Sequence, residues 1–192
     1  MGDVIVPKQE KRKIPTQLDD FTAPVVNTYS LETTIAEKID AILSLMEFSS
    51  RMKDYYDIYY LANKFDFDSK VLSEALKKTF ENRGHSFTVE QFEQVMGFAD
   101  DAAMQKKWKA FCRKIDTKTD DFSTVLKTIK VFLTKPFIAV LSKTEFSQQW
   151  IAAESQWKKG VMTRLTRESV SKHRMLLLTQ EMRKQTTQMK TS

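Results

Sequence analysis

SSRMKDYYDIYYLANKF, residues 49–65, read with LETTIAEKIDAILSLM, residues 31–46, decides the fold of this 192-residue chain. Both segments have the period of an amphipathic helix. At about 100° per residue, Ile58, Leu61, Ala62 and Phe65 share one stripe of the second segment, and Leu31, Ile35, Ile39, Ile42 and Met46 line one side of the first. Adjacent helices joined by a short turn pack through such stripes, so the pair predicts helix on helix. Each stripe is interrupted by a charge. Asp54 is centred among the apolar residues of the second helix with Asp57 at its edge, and Lys38 lies between Leu31, Ile42 and Leu45 in the first. Lys53, Lys64, Tyr56 and Tyr60 fall on the face expected to meet water.

Two explanations fit the acids. They belong to the first turn of a helix capped by Ser49 or Ser50, where negative charge suits the macrodipole. Alternatively, Lys38 and Asp54 meet across the seam, because an unpaired buried charge is costly and two intrusions on facing stripes suggest pairing or a ligand. Lys38 also has an ordinary reading, a lysine whose stem covers apolar area while its ammonium reaches water.

The composition agrees with helices. Hydrophobic residues make up 41% and charged residues 29% of the chain, with only four Gly and four Pro to interrupt it. Spacing and cap signals predict helices over 30–47, 50–65, 69–83, 88–98, 101–115, 121–142 and 145–158, then a basic helix or frayed segment over about 162–187. Thr88-Val89-Glu90-Gln91 has capping-box form, Gly84 can end its helix, and Pro136 should kink or split the long one. Val4-Ile5-Val6 reads as a short strand ended by Pro7, with Pro15 and Pro24 keeping the residues up to 28 extended or looped. The expected organisation is an extended segment over 1–28, a helical domain over 29–160 and a basic tail over 161–192. The fold class is an all-α bundle with a short N-terminal strand.

Several function classes are disfavoured. A single Cys and two distant His give no metal-spacing cluster, so a reducing, cytoplasmic setting is expected. No apolar run is long enough to span a membrane. Of the net charge of +6, the tail from Val161 supplies seven cations less two acids, or +5, so the body reads as near neutral and its basicity as poor grounds for nucleic-acid binding. Tyr55, Tyr59, Trp108, Phe111, Trp150 and Trp157 read as packing, Cys112 as a buried inert thiol, and His85 as lacking a catalytic partner. In the tail, Met175, Leu178, Met182 and Met189 suit docking on another helix, its cations suit RNA or an acidic partner, and a disordered extension fits as well.

YSLETTIAEKIDAILSLMEFSSRMKDYYDIYYLA, residues 29–62, resembles the signature of the AbiEii/AbiGii nucleotidyltransferase toxin family, bacterial proteins tied to phage abortive infection and type IV toxin–antitoxin systems. MGDVIVPKQE is similar to the strand and loop leaving that family's catalytic domain, and KKTFENRGHSF and MQKKWKAFCRK are similar to its later helices, so the resemblance spans roughly residues 2–158. It implies a polymerase-β-like palm sheet followed by a helical domain. In such proteins a Gly-Ser or Gly-Thr turn and an Asp-x-Asp pair hold divalent metal, Mg²⁺, while a Lys and an Asp from the helices complete the nucleotide site. The resemblance makes Lys38, Asp54 and Asp57 the catalytic candidates and Lys38, Arg51 and Lys53 the substrate contacts.

The reaction implied is transfer of a nucleotide from an NTP to an RNA or protein acceptor, with an antitoxin as partner. The sequence departs from that pattern. The glycine turn and Asp-x-Asp are absent from its start, Asp120-Asp121 is adjacent rather than alternating, and Asp66-Phe67-Asp68 lies in an interhelical turn. The expectation is therefore a C-terminal portion or truncated relative, without metal ligands of its own and inactive alone, with an antitoxin or the missing catalytic half as possible partners. The alternative is a non-enzymatic helical module that binds a protein or RNA through the tail.

Overall fold

The computed structural model describes residues 10–13, 25–28, 30–46, 51–115 and 119–159. The expected strand at Val4-Ile5-Val6, the caps Ser49 and Ser50, and the whole tail after Gly160 lie outside the described residues. The described residues all belong to one compact unit.

A two-stranded antiparallel ladder comes first, β1 (Glu10–Lys13) against β2 (Val25–Thr28), in the register Glu10 opposite Thr28. The segment expected to be merely extended therefore supplies its own ladder. Next come α1 (Leu31–Leu45) and α2 (Met52–Lys64). Ser30 starts α1 by accepting a hydrogen bond from the Thr33 N–H, which satisfies one of the first-turn donors. Arg51 holds the N-cap position of α2 and makes no side-chain cap hydrogen bond.

Beyond a two-residue strand, β3 (Phe67–Asp68), the chain forms α3 (Ser69–Arg83), α4 (Val89–Met96) with a 3-10 turn over Gly97–Asp100, α5 (Ala102–Ile115) and α6 (Phe122–Ser142). Asp68 accepts from the Lys70 and Val71 N–H groups at the head of α3. Thr88 and Gln91 form the expected capping box. Gly84 ends α3 with a φ of +68°, a left-handed conformation that costs glycine nothing and turns the chain back toward α1.

The core forms where α1 packs on α2 and α3, and where α6 packs on α2 and α3. Ile35, Ile39 and Ile42 of α1, Tyr55 and Ile58 of α2, Leu72 and Leu76 of α3, and Ile129, Phe132 and Leu133 of α6 are all fully buried.

Two expectations are corrected. Residues 145–158 do not form an α-helix: β4 (Gln149–Ile151) and β5 (Gln156–Lys158), joined through a 3-10 turn over Ala152–Glu154, form a hairpin that pairs through β4 with β3, with Trp150 opposite Trp157. Pro136 does not split α6, which runs through it as one helix, with Pro136 buried. The two corrections share a cause. Proline at 136 has no N–H to give the carbonyl of Phe132, four residues earlier. The Trp157 indole N–H takes that place, donating to the Phe132 carbonyl at 2.9 Å, while its ring stacks on Phe132 with an interplanar angle of 2°. The Trp150 indole N–H likewise donates to the Ala62 carbonyl, in the last turn of α2, at 2.6 Å. The hairpin is thus fastened to two helices through carbonyls that those helices leave open.

Candidate functional site

Lys38 projects from the middle of α1 toward the first turns of α2. Its Nζ lies 3.0 Å from Asp54 Oδ1 and 2.5 Å from Asp57 Oδ2. The expected meeting of a lysine and a carboxylate between the two stripes is what the structure shows. Asp54 is almost fully buried, with a side chain 5% exposed, whereas the side chains of Lys38 and Asp57 are each 19% exposed. Burial alone would lower the pKa of Lys38. The hydrogen bond and charge of Asp57, followed by those of Asp54, outweigh it and hold the ammonium above its usual range.

The other two candidates complete the cluster. Arg51 Nε reaches the buried Oδ2 of Asp54 at 2.5 Å, a charge contact without hydrogen-bond alignment. Lys53 Nζ donates to both oxygens of Asp57, at 3.0 and 2.8 Å, across one turn of α2. The acids are therefore more than first-turn complements to the helix dipole. One lysine of α1 is gripped by two carboxylates of α2, each also touched by a cation of its own helix. Beside Asp54, the hydroxyl of buried Tyr55 has no hydrogen-bond partner; burial, then the charge of Asp54, pushes its pKa above the usual phenol value and keeps it neutral.

A small cleft of about 200 Å³ opens over this cluster, lined by Lys38, Arg51 and Asp54, by Thr34, Glu37 and Ala41 of α1, and by Arg83 of α3. Lys53 and Asp57 stand outside that lining. Arg83 was not anticipated, nor was the acid that positions it. Asp40, 1% exposed, accepts from Arg83 Nη1 at 2.9 Å and sits 2.8 Å from His85 Nδ1. His85 therefore does have a partner, reached because Gly84 reverses the chain. Ser44 Oγ is 3.3 Å from the same Nδ1, but it donates to the Asp40 carbonyl at 2.8 Å. A nucleophilic serine would need its base on a nitrogen distinct from the one facing the acid, so this is a structural cluster in which buried Asp40 pairs with Arg83 and holds His85 beside it. The signal for Asp40 was present in the sequence: Ala36 and Leu43, four before and three after it, are both apolar.

Charges in and around the cleft balance, with Lys38, Arg51, Lys53 and Arg83 against Glu37, Asp40, Asp54 and Asp57. An entering anion would gain three converging donors, but it would have to compete with Asp54 for Lys38. Among the described residues no three His, Cys, Asp or Glu side chains stand together as a metal site. Asp66-Phe67-Asp68 is committed to structure. Asp66 accepts from the Ala152 N–H at 2.8 Å and Asp68 caps α3. Asp121 caps α6, and Asp120 accepts from the Tyr59 hydroxyl, whose pKa burial and that bond push up to about 12. Cys112, expected to be buried, is half-exposed, and burial still raises its pKa so that it stays a thiol.

No helix among the described residues is long and apolar enough to cross a membrane. Comparison with curated proteins and with solved structures gave no match. A family model described as nucleotidyl transferase AbiEii toxin of a type IV TA system matches residues 1–128, a span that ends inside α6 and so falls short of the roughly 2–158 suggested by the sequence resemblance. That span contains α1, α2 and α3, and with them Lys38, Arg51, Asp54, Asp57 and Arg83. The chain belongs to the AbiEii nucleotidyl transferase toxin family of type IV toxin–antitoxin systems.

Proposed function

We propose that residues 30–159 are the helical part of a nucleotidyltransferase toxin, and that the cleft between α1, α2 and α3 receives the triphosphate of an NTP. The observation that carries this reading is the Lys38 ammonium, held at 3.0 and 2.5 Å by Asp54 and Asp57 and lining the cleft together with Arg51 and Arg83. Phosphoryl-group chemistry needs positioning and charge neutralisation more than it needs covalent participation by the protein. Lys38 neutralises phosphate charge, Arg51 adds a second cation, and Arg83 offers a planar fork suited to phosphate oxygens. Asp54 and Asp57 orient the lysine. Because each is already engaged by two cations, this fits better than a role as proton acceptor. Lys53, outside the cleft lining, acts by holding Asp57.

The described carboxylates do not fit the Mg²⁺ pair that nucleotidyl transfer calls for, since Asp54 and Asp57 both point to Lys38. No role given to these residues runs through a metal. The four glycines of the sequence are followed by Asp3, His85, Phe98 and Val161, so no Gly-Ser or Gly-Thr turn precedes an Asp-x-Asp. The metal-holding half, a polymerase-β-like palm, would come from outside these residues, and this polypeptide does not transfer nucleotides by itself. The family's type IV toxin–antitoxin setting implies an antitoxin as partner; the acceptor in this reading is an RNA or a protein.

Incubation of the purified chain with labelled NTP, Mg²⁺ and tRNA should give no labelled product. Metal-dependent labelling abolished by Lys38→Ala would contradict the claim that a second half is required. Binding is tested separately. Inorganic tripolyphosphate and NTPs should bind the intact chain and bind at least about tenfold more weakly to Lys38→Met, the scale expected for losing one charge-assisted contact.

A further inference from the structure

The composition of the cleft over Lys38 narrows what it can recognise. Pockets that enclose a whole small molecule run to about 300–1,000 Å³ and are lined mostly by apolar and aromatic side chains. This one is about 200 Å³, and Ala41 is the only apolar residue in its lining among the described residues. The rest of the wall is Thr34, Glu37, Lys38, Arg51, Asp54 and Arg83.

A nucleotide base is recognised by a flat partner on its face and by donors and acceptors along its edge. Among the described residues the cleft has no flat partner. Helix α1 carries no aromatic residue, and α3 carries one, Phe80, which is buried against Phe87 with ring centroids 5.0 Å apart. The four tyrosines of α2 are turned elsewhere. Tyr55 is fully buried with its ring edge-on to Phe122, and Tyr59 donates its hydroxyl to Asp120. Tyr56, placed by the sequence reading on the water-facing side, lies 5.9 Å from Phe111 of α5 and stacks on Tyr60 at 6.2 Å and 25°.

Donors and acceptors in the lining are unequally used. Both carboxylates are engaged, Asp54 by Lys38 and Arg51, and Glu37 in an interaction of its own. The Thr34 hydroxyl gives its proton to the Ser30 carbonyl at 2.9 Å. Asp40, by contrast, takes the Arg83 guanidinium at Nη1 and leaves the rest of its fork of donors, and the Lys38 ammonium keeps a hydrogen beyond those facing Asp54 and Asp57. Remaining donors, with no ring and no open carboxylate, suit a ligand whose surface is all acceptors. A phosphate chain is such a ligand and a base is not.

We propose that the cleft reads the polyphosphate alone and is indifferent to the base, so that any choice among nucleotides is made by residues other than these. The inference rests on the reading of this cleft as a triphosphate site and adds what that site ignores.

The test is calorimetric titration of the full chain with ATP, GTP, CTP, UTP, inorganic tripolyphosphate and the four nucleosides, in EDTA so that no metal masks the phosphates. The four NTPs should bind within about fivefold of one another, and none more than about fivefold tighter than tripolyphosphate, because one stacked base alone contributes about fivefold or more. The nucleosides should not bind at concentrations where the NTPs saturate. Arg83→Gln should weaken all five phosphate ligands by a common factor of about threefold or more, since its contacts lie on the part they share. Thermal melts by circular dichroism separate loss of binding from loss of fold, and the comparison among ligands on the wild type remains decisive if the variant melts early.

Absence of binding by both NTPs and tripolyphosphate would overturn the triphosphate reading and this inference with it. Binding in which one NTP exceeds another, or exceeds tripolyphosphate, by more than about fivefold would leave the triphosphate reading standing and overturn base indifference. So would a nucleoside that displaces tripolyphosphate, or a folded Arg83→Gln variant that weakens one nucleotide and spares the others.

Discussion

Replacement of Trp157 by Phe should destabilise the protein mainly through one carbonyl. The ring stack on Phe132 survives the change, but the indole N–H that donates to the Phe132 carbonyl at 2.9 Å is lost. Trp157 is 9% exposed, so the carbonyl is poorly placed to find water instead. A buried acceptor left open costs about 1–3 kcal/mol, and the lost ring area adds a few tenths, for a total of about 2 kcal/mol. In a protein of this size that corresponds to roughly 4–8 °C in Tm. The cause is specific to Pro136, so the cost should shrink where residue 136 has an N–H of its own. In a Pro136→Ala background the backbone can bond Phe132 directly, and Trp157→Phe should then cost under about 1 kcal/mol. The assay is urea unfolding followed by far-UV circular dichroism on the wild type, both single variants and the double. A coupling of about 1 kcal/mol or more is expected. Additivity within about 0.3–0.5 kcal/mol, the scatter of independent sites, would refute the link between the proline and the hairpin.

Three further expectations concern the Lys38 cluster. Lys38→Met strands the nearly buried Asp54; with Arg51 still beside it, the expected loss is about 1–3 kcal/mol, below the full cost of breaking a buried pair, and Lys38→Met with Asp54→Leu should recover part of it. Equal urea midpoints for wild type and Lys38→Met would show that the two carboxylates do not depend on this lysine. The raised pKa of Lys38 sets a pH window. The stabilisation from its ammonium is complete below the ordinary lysine value of 10.5 and is lost as pH rises through the higher folded value. The wild-type melting temperature should therefore fall more steeply above that pH than the Lys38→Met one, and parallel alkaline profiles would contradict it. Tyr55→Phe removes a buried hydroxyl without a partner, so it should leave stability unchanged or raise it by up to about 1 kcal/mol in the same urea assay. A loss above about 1 kcal/mol would mean that the hydroxyl is bonded.

The helices were legible because their apolar periods are long and their ends carry local chemistry, as at Ser69–Arg83, whose bounds were anticipated to the residue. The pairing of Lys38 with Asp54 was legible because two charges on two stripes leave few alternatives to meeting. The features that escaped reading depend on residues distant in sequence. Trp150 and Trp157 are seven apart, which is two turns of one helix but equally two facing positions of a hairpin, and periodicity alone does not choose between them. Their carbonyl partners, at Ala62 and Phe132, lie 88 and 25 residues away. Arg83 escaped reading because Asp40, which aims it at the cleft, is 43 residues earlier.

The central claim is that the cleft over Lys38 holds phosphate, and calorimetric titration of the intact chain with tripolyphosphate and with each NTP tests it most directly. The account predicts binding that weakens at least about tenfold in Lys38→Met and also weakens in Arg83→Gln, with both variants still folded. Undetectable binding to the wild type, or equal affinity in Lys38→Met, would leave the lysine and its two carboxylates as a structural clasp between α1 and α2.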